Sequence, residues 1–248
     1  MNTARILGHR GAMALYPENT IRSVLGALRG PHPADGVEFD VRLTSDGSPV
    51  IFHDDETERL TGSPGTVEER DLAALASLSV AGEPIPTLVS LGDVLMAEAD
   101  ASRRELLVNA ELKPTGDPAP LVRACLEILN RLDQHPRIEL VVSSFDPTVL
   151  KAASGAGLNW RLALLYEQAE ALAFLPHLEL GRPLDLHPRS DLVSSEHMAL
   201  VGGRTVRTWT VDEPEVARSC IDLGVTAIIS NDPGALGKAL AAEAANGT

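Results

Sequence analysis

The apolar positions of this chain follow two rhythms in turn. Short, nearly unbroken apolar runs read as buried strands: ARILGHRG, DGVEFDVRL, RRELLVNAELK, RIELVVSSF, WRLALLYE, RPLDLHP, GRTVRTWTV and VTAIISNDP. Between them lie stretches with the periodicity of amphipathic helices: PENTIRSVLGAL, APLVRACLEILNRL, DPTVLKAASGAG, QAEALAFLPHL, SSEHMALVGG and EPEVARSCIDLG, with a helical tail after Pro233. Asn19 or Glu18 stands near the start of the first helix. Strand and helix alternating through about eight units predict a parallel sheet closed into a TIM (β/α)8 barrel. The structural rival, an open doubly wound sheet, normally carries a glycine-rich dinucleotide turn after its first strand, and GHRGAMALYPENT is not one.

One interval breaks the rhythm. Residues 44–102 are too many for a loop and one helix. TSDGSPVIFHDD reads as a hairpin turning at Asp46-Gly47. TVEERDLAAL reads as a short helix opened by Thr66 with Glu69 at capping-box spacing, and PTLVSLGDVLMAEA as the barrel helix that follows. Residues 44–87 are therefore expected to be an insertion after the second strand that shapes the substrate mouth. With no low-complexity linker in the sequence, residues 1–248 read as a single barrel domain.

The second strand holds the first chemical clue. In VEFDV, alternation puts Glu38 and Asp40 on one face and Val37, Phe39 and Val41 on the other. Two acids facing inward together repel and lose hydration unless a cation compensates, and a divalent metal with oxygen ligands is the simplest one. Barrel enzymes carry their chemistry at the carboxyl ends of the strands. There the sequence sets His9-Arg10, Glu38 and Asp40, Glu111 with Lys113, Ser143-Ser144, Glu167, His187, Trp209 and Ser230-Asn231, with His53 following the hairpin. Glu38, Asp40 and Glu111 are hard donors suited to Mg²⁺ or Ca²⁺. Arg10 and Lys113 suit an anion, and His9 and His53 titrate near neutrality, as an acid-base pair requires. Trp209 offers an apolar wall for a carbon skeleton. Together they point to phosphodiester cleavage. His32, His135, His177 and His197 fall away from the rim and are expected to be solvated, and His187 has no evident partner.

Composition narrows the partners. The chain has 248 residues, 44% of them hydrophobic, and a formal charge of -14 from 21 basic and 35 acidic residues. That balance disfavours nucleic acid and anionic membranes, so a small anionic substrate has to be drawn by a local cation. No apolar run is long enough to span a bilayer, and MNTARILGHRG lacks a secretory core. The expectation is a cytoplasmic protein, monomer or small homo-oligomer, whose Cys125 and Cys220 are buried free thiols.

At these residues the chain resembles the glycerophosphodiester phosphodiesterase family. GHRG with PENT, VEFDVRLTSDGSPVIFHD, NAELK, SSFDPTVL and VRTWTVDEP occur in family order from Gly8 to about Pro233. The resemblance implies a (β/α)8 barrel that hydrolyses glycerophosphodiesters to glycerol 3-phosphate and an alcohol. It also implies a metal on Glu38, Asp40 and Glu111, with His9 and His53 as the acid-base pair. Three segments depart from the family pattern. The usual Leu-x-Arg-Thr-Thr run is TERLTG, Trp-Thr-Val-Asn is Trp209-Thr210-Val211-Asp212, and Thr-Asp-x-Pro is Ser230-Asn231-Asp232-Pro233. None is expected to touch the acids, bases or ligands. Two routes stay open: direct attack by water, or attack by the glycerol hydroxyl to give a cyclic phosphate that is then hydrolysed. A lysophospholipid-cleaving barrel and a non-catalytic phosphodiester-binding barrel are the rival readings. Only 3% of residues are aromatic, which disfavours interfacial binding, and no proposed ligand or histidine is missing.

Overall fold

The computed structural model describes residues 4–156, 160–178 and 180–246; the first three residues of MNTARILGHRG and Gly157 at the end of DPTVLKAASGAG lie outside them. Eight parallel staves form the barrel: β1 (Arg5–Gly8), β2 (Gly36–Leu43), β3 (Leu106–Leu112), β4 (Ile138–Ser144), β5 (Arg161–Tyr166), β6 (Leu184–Pro188), β7 (Arg207–Thr208) and β8 (Ala227–Ser230). They run in the order β7-β8-β1-β2-β3-β4-β5-β6. Between β6 and β7 the wall closes through two parallel bridges, Leu186 to Val206 and Arg189 to Trp209, because β7 is only two residues long. The expected (β/α)8 barrel is what forms.

Alternation along the staves sorts the side chains. Val37, Phe39 and Val41 of β2 point outward into the apolar layer shared with the helices. Leu7, Leu107, Val141, Ala163, Ala227 and Ile229 point inward and plug the barrel. That plug is apolar, so the polar groups above it sit on an apolar floor. Gly36 is required where β2 meets β3, since a Cβ there would fall 1.8 Å from the Leu107 carbonyl oxygen.

The helices follow the predicted runs, with informative differences. The helix Ile21–Arg29 is capped by Thr20, whose hydroxyl accepts from the Ser23 amide, and neither Glu18 nor Asn19 serves as the cap. QAEALAFLPHL forms a 3-10 segment, Ala169–His177, not an α-helix; Pro176 inside it has no amide hydrogen to give. In the insertion, the strand Pro49–Ile51 pairs antiparallel with β2, and Gly47 takes the positive φ the turn needs. Thr66 and Glu69 do make the reciprocal contacts of a capping box, at 3.3 and 3.4 Å, but the chain only turns there. The helix Leu72–Ala76 begins instead at Asp71, whose carboxylate accepts from the Ala74 amide. Val50, Phe52, Val67, Leu75, Val80 and Ile85 give the insertion a small apolar cluster of its own.

Cys125 and Cys220 are free and buried, as expected. Among the described residues no helix is long and apolar enough to cross a membrane. His32 and His177 are exposed, but His197 is buried, its Nε2 2.8 Å from the Tyr166 hydroxyl, and His135 is half-buried with Nε2 3.4 Å from Asp100. The solvated expectation fails for these two because each ring finds a polar partner across an element boundary.

Candidate active site

β1 ends in a tight reversal. Arg10 and Gly11 both take positive φ, 49° and 83°, which turns the Arg10 amide toward β2, where it donates to Glu38 at 3.0 Å. On β2 and β3 the register sets Glu38 beside Asn109 and Asp40 beside Glu111. The acids of two adjoining staves therefore meet: one carboxylate oxygen from each of Glu38, Asp40 and Glu111 lies within 4.8 Å of the others. All three are buried.

Two cations face these three acids. Lys113 Nζ lies 2.9 Å from Glu111 and 3.4 Å from Asp40, and Arg10 Nε lies 3.4 Å from Asp40. The balance is uneven. Burial, then the neighbouring Asp40 and Glu111, push the Glu38 carboxyl well above the ordinary carboxylate range. Burial and then Asp40 push Glu111 up to about 7. Asp40 alone is held down: burial works against it, but Lys113 and Arg10 outweigh that. Carboxylates this close, short of positive charge and offering hard oxygens, fit a divalent cation. Both polar atoms of the Asn109 amide are buried in the same cavity without a protein partner. A site built to receive further polar ligands has this character.

Both histidines border this cluster. His9 Nε2 lies 4.0 Å from Glu38, and its Nδ1 lies 2.7 Å from the Asn231 side-chain oxygen. His53 Nδ1 lies 2.6 Å from Asp54. Burial, then Arg10, lower the His9 pKa below 6.5, and burial is also the main cause of the lowering at His53. The cavity, about 320 Å³, is bounded by His9, Arg10, His53 and Lys113 on its polar side. On the apolar side, Trp209 and Phe145 meet edge to face at 5.4 Å, and Trp209 Nε1 is fixed by the His187 carbonyl at 2.8 Å. Glu167 lines it as well, whereas Ser144 turns away to the Leu112 carbonyl. His187 lies wholly buried beneath, with Arg207 Nη1 3.5 Å from its Nε2.

Several site-building residues escaped sequence reasoning. Asn19 pairs its amide with Asp40, donating at 2.8 Å, and Glu18 accepts from Arg10 at 2.8 Å and from both terminal nitrogens of Arg59. Arg59 also grips Asp54, the partner of His53. The PENT segment is thus part of the site and not a helix start, and its signal was two polar residues followed by a separate capping threonine. The family departures also need correcting: Asn231, one of them, is in direct contact with His9.

Comparison with known proteins converges on the same reading. The chain is 28% identical over 243 residues to a glycerophosphodiester phosphodiesterase of Caldanaerobacter subterraneus subsp. tengcongensis, covering 92% of this chain and 94% of that one. Its fold matches a phosphodiesterase of Oleispira antarctica solved with the product sn-glycerol-3-phosphate, at 27% identity and a TM-score of 0.82 over 96% of each chain. A glycerophosphodiester phosphodiesterase of Thermotoga maritima, 23% identical, shares the fold with a TM-score of 0.75 over 96% of this chain and 99% of that one. Residues 9–235 match the model of the glycerophosphoryl diester phosphodiesterase family, and the chain belongs to that family of phosphodiester-hydrolysing enzymes.

Proposed function

We propose that the protein is a metal-dependent hydrolase of glycerophosphodiesters that releases glycerol 3-phosphate and an alcohol, with His9 and His53 moving the protons. The observation that carries this reading is the meeting of Glu38, Asp40 and Glu111 beside two imidazoles in one cavity. The product bound to the Oleispira antarctica relative supports the same substrate class.

Glu38, Asp40 and Glu111 would hold a divalent ion, Mg²⁺ or Ca²⁺, which would supply charge neutralisation at the phosphate and polarise phosphorus. Arg10 and Lys113 bind the phosphate oxygens, and their charge is retained because each stands against buried acids. Trp209 and Phe145 hold the carbon skeleton and exclude water from that side. One imidazole takes the proton of the nucleophile, water or the glycerol hydroxyl, as the P–O bond to the alcohol breaks and the other imidazole protonates the leaving oxygen. Where the glycerol hydroxyl attacks, water then opens the cyclic phosphate to glycerol 3-phosphate. The accepting ring starts neutral and the donating ring starts as the imidazolium, and Asp54, 2.6 Å from His53 Nδ1, steadies His53 whenever it carries a proton. With two free buried thiols, we assign the enzyme to the cytoplasm, acting on a small-molecule substrate as a monomer or small homo-oligomer.

The test is a panel of glycerophosphodiesters assayed for glycerol 3-phosphate after chelation and again with each metal restored. Activity is expected to vanish with chelation and return with one of the two ions. Unchanged turnover after exhaustive chelation removes the metal from the reading.

A further inference from the structure

Behind His9 lies a polar chain that the catalytic reading leaves unexplained. His9 Nδ1 lies 2.7 Å from Asn231 Oδ1. The Asn231 amide nitrogen donates to Asp212 Oδ2 at 2.7 Å. Asp212 Oδ1 accepts from the Asn231 backbone amide at 2.7 Å and from the Ser230 hydroxyl at 2.8 Å. Around this chain the backbone is fixed, since the His9 amide donates to the Ser230 carbonyl and the Ala14 amide to the Asn231 carbonyl. In sequence, Asn231 stands where the family resemblance sets an Asp, and Asp212 where it sets an Asn. Against that pattern the two residues have exchanged places, and here they are in contact.

The logic of the chain runs one way. A carboxylate only accepts, so Asp212 can face Asn231 only through the NH₂ end of the amide. That leaves Oδ1 toward His9, and an oxygen acceptor at 2.7 Å requires the proton on Nδ1. The other nitrogen, Nε2, then faces the cavity and Glu38 with its lone pair free. We propose that Asp212 and Asn231 are positioning residues that lock His9 in the Nδ1-protonated form, so that Nε2 is the nitrogen exchanging a proton with the substrate. This rests on His9 being one of the two proton-moving groups. A neutral amide does the orienting here, and the carboxylate lies one hydrogen bond further out, half in solvent.

Asp212→Asn is isosteric and tests the lock. It sets one amide NH₂ against another, so Asn231 turns over and presents a donor to His9. We expect kcat to fall about tenfold with KM within about twofold. Adding Asn231→Asp restores the donor-to-acceptor order in the opposite sense and is expected to bring kcat back to within about threefold of the parent. In a His9→Ala background, Asp212→Asn should have no further effect. The proposal is overturned by Asp212→Asn with an unchanged kcat, or by a double variant no better than the single. It is equally overturned by a loss that follows the unfolded fraction seen in melting, or that persists in full without His9. If His9→Ala itself turns over normally, the catalytic reading falls and takes this one with it; if His9→Ala is inactive while Asp212→Asn is normal, only the lock is wrong.

Discussion

The two ends of this barrel bury the same kind of charge with opposite results. On the underside, Asp185 of β6 accepts from Arg161 Nε at 2.9 Å and from Arg207 Nη1 at 2.6 Å. Glu139 of β4 takes Arg207 Nη2 at 3.2 Å and Arg5 as well. Burial alone would raise the Asp185 carboxyl, but Arg161 and Arg207 hold it below its ordinary value. At the mouth, burial and then the neighbouring acids push Glu38 and Glu111 up, and two cations shared among three buried acids do not offset it. A buried acid that its own protein neutralises is structural; one left short of positive charge is waiting for something. The shortfall, and not burial itself, marks the functional end.

The largest break expected is at the mouth. His9→Ala and His53→Ala should each lower kcat by at least about a hundredfold while leaving far-UV circular dichroism and melting near those of the parent. Each ring is partly open to the cavity, so little packing is lost with it. Near-parental turnover for either variant would remove that ring from the reaction.

The underside should behave in the reverse way. Asp185→Asn leaves Arg207, 2% exposed, facing one carboxylate instead of two. An uncompensated buried guanidinium costs about 3 kcal/mol, read as a lower denaturation midpoint, whereas kcat of the folded fraction is expected to stay at the parent's value. A variant with parental stability would mean that Glu139 and water suffice, and the contrast between the ends would weaken.

Much of this was legible in the sequence, and what was not shares a cause. Glu38, Asp40 and Glu111 declared themselves because a period of two in an apolar strand makes an inward acid conspicuous. The hairpin at Asp46-Gly47 was legible from its turn chemistry. The roles of Asn19, Arg59, Asp212 and Asn231 were silent: Arg59 lies in the one-turn helix Glu58–Thr61 and the others in loops, and their roles are set by partners the fold brings near, as with His9 and Asn231, 222 positions apart. Thr66 and Glu69 show the converse. Their contacts formed as local chemistry dictates, but Asp71 supplied the cap and the helix began there. Local rules located the contact and could not say which of two caps would carry the helix.

His187 lies between the two ends and sharpens the comparison through pH. It is fully buried beside Arg207, and burial, then that guanidinium, lower its pKa from 6.5 to about 3. Between those values the unfolded chain binds a proton that the folded ring refuses. Its stabilising contribution is therefore complete above pH 6.5 and is lost as the pH falls toward 3. From pH 7 to pH 5 the loss amounts to about 2 kcal/mol. His187→Gln should flatten the fall in stability over that interval, measured as denaturation midpoints at the two pH values. An unchanged slope would assign the acid sensitivity to other groups.

The smallest effect expected is the most discriminating, because its sign differs between the ends. In the metal-free protein at pH 7, Glu38 is disfavoured as a carboxylate in the fold but not in the unfolded chain. A raised carboxyl pKa removes stability as the pH climbs above the unfolded value of 4.5, so the ionised group is a net cost at neutrality. Glu38→Gln relieves that cost, and its amide oxygen can still accept from the Arg10 amide at the position the carboxylate used. With chelator present, the variant is expected to be more stable than the parent by about 1 kcal/mol, although inactive. With Mg²⁺ or Ca²⁺ in excess the order should reverse, because only the parent gains stability from binding the ion. If Glu38→Gln is instead the weaker protein in chelator, the mouth acids are neutralised from within as Asp185 is, and the difference between the two ends disappears.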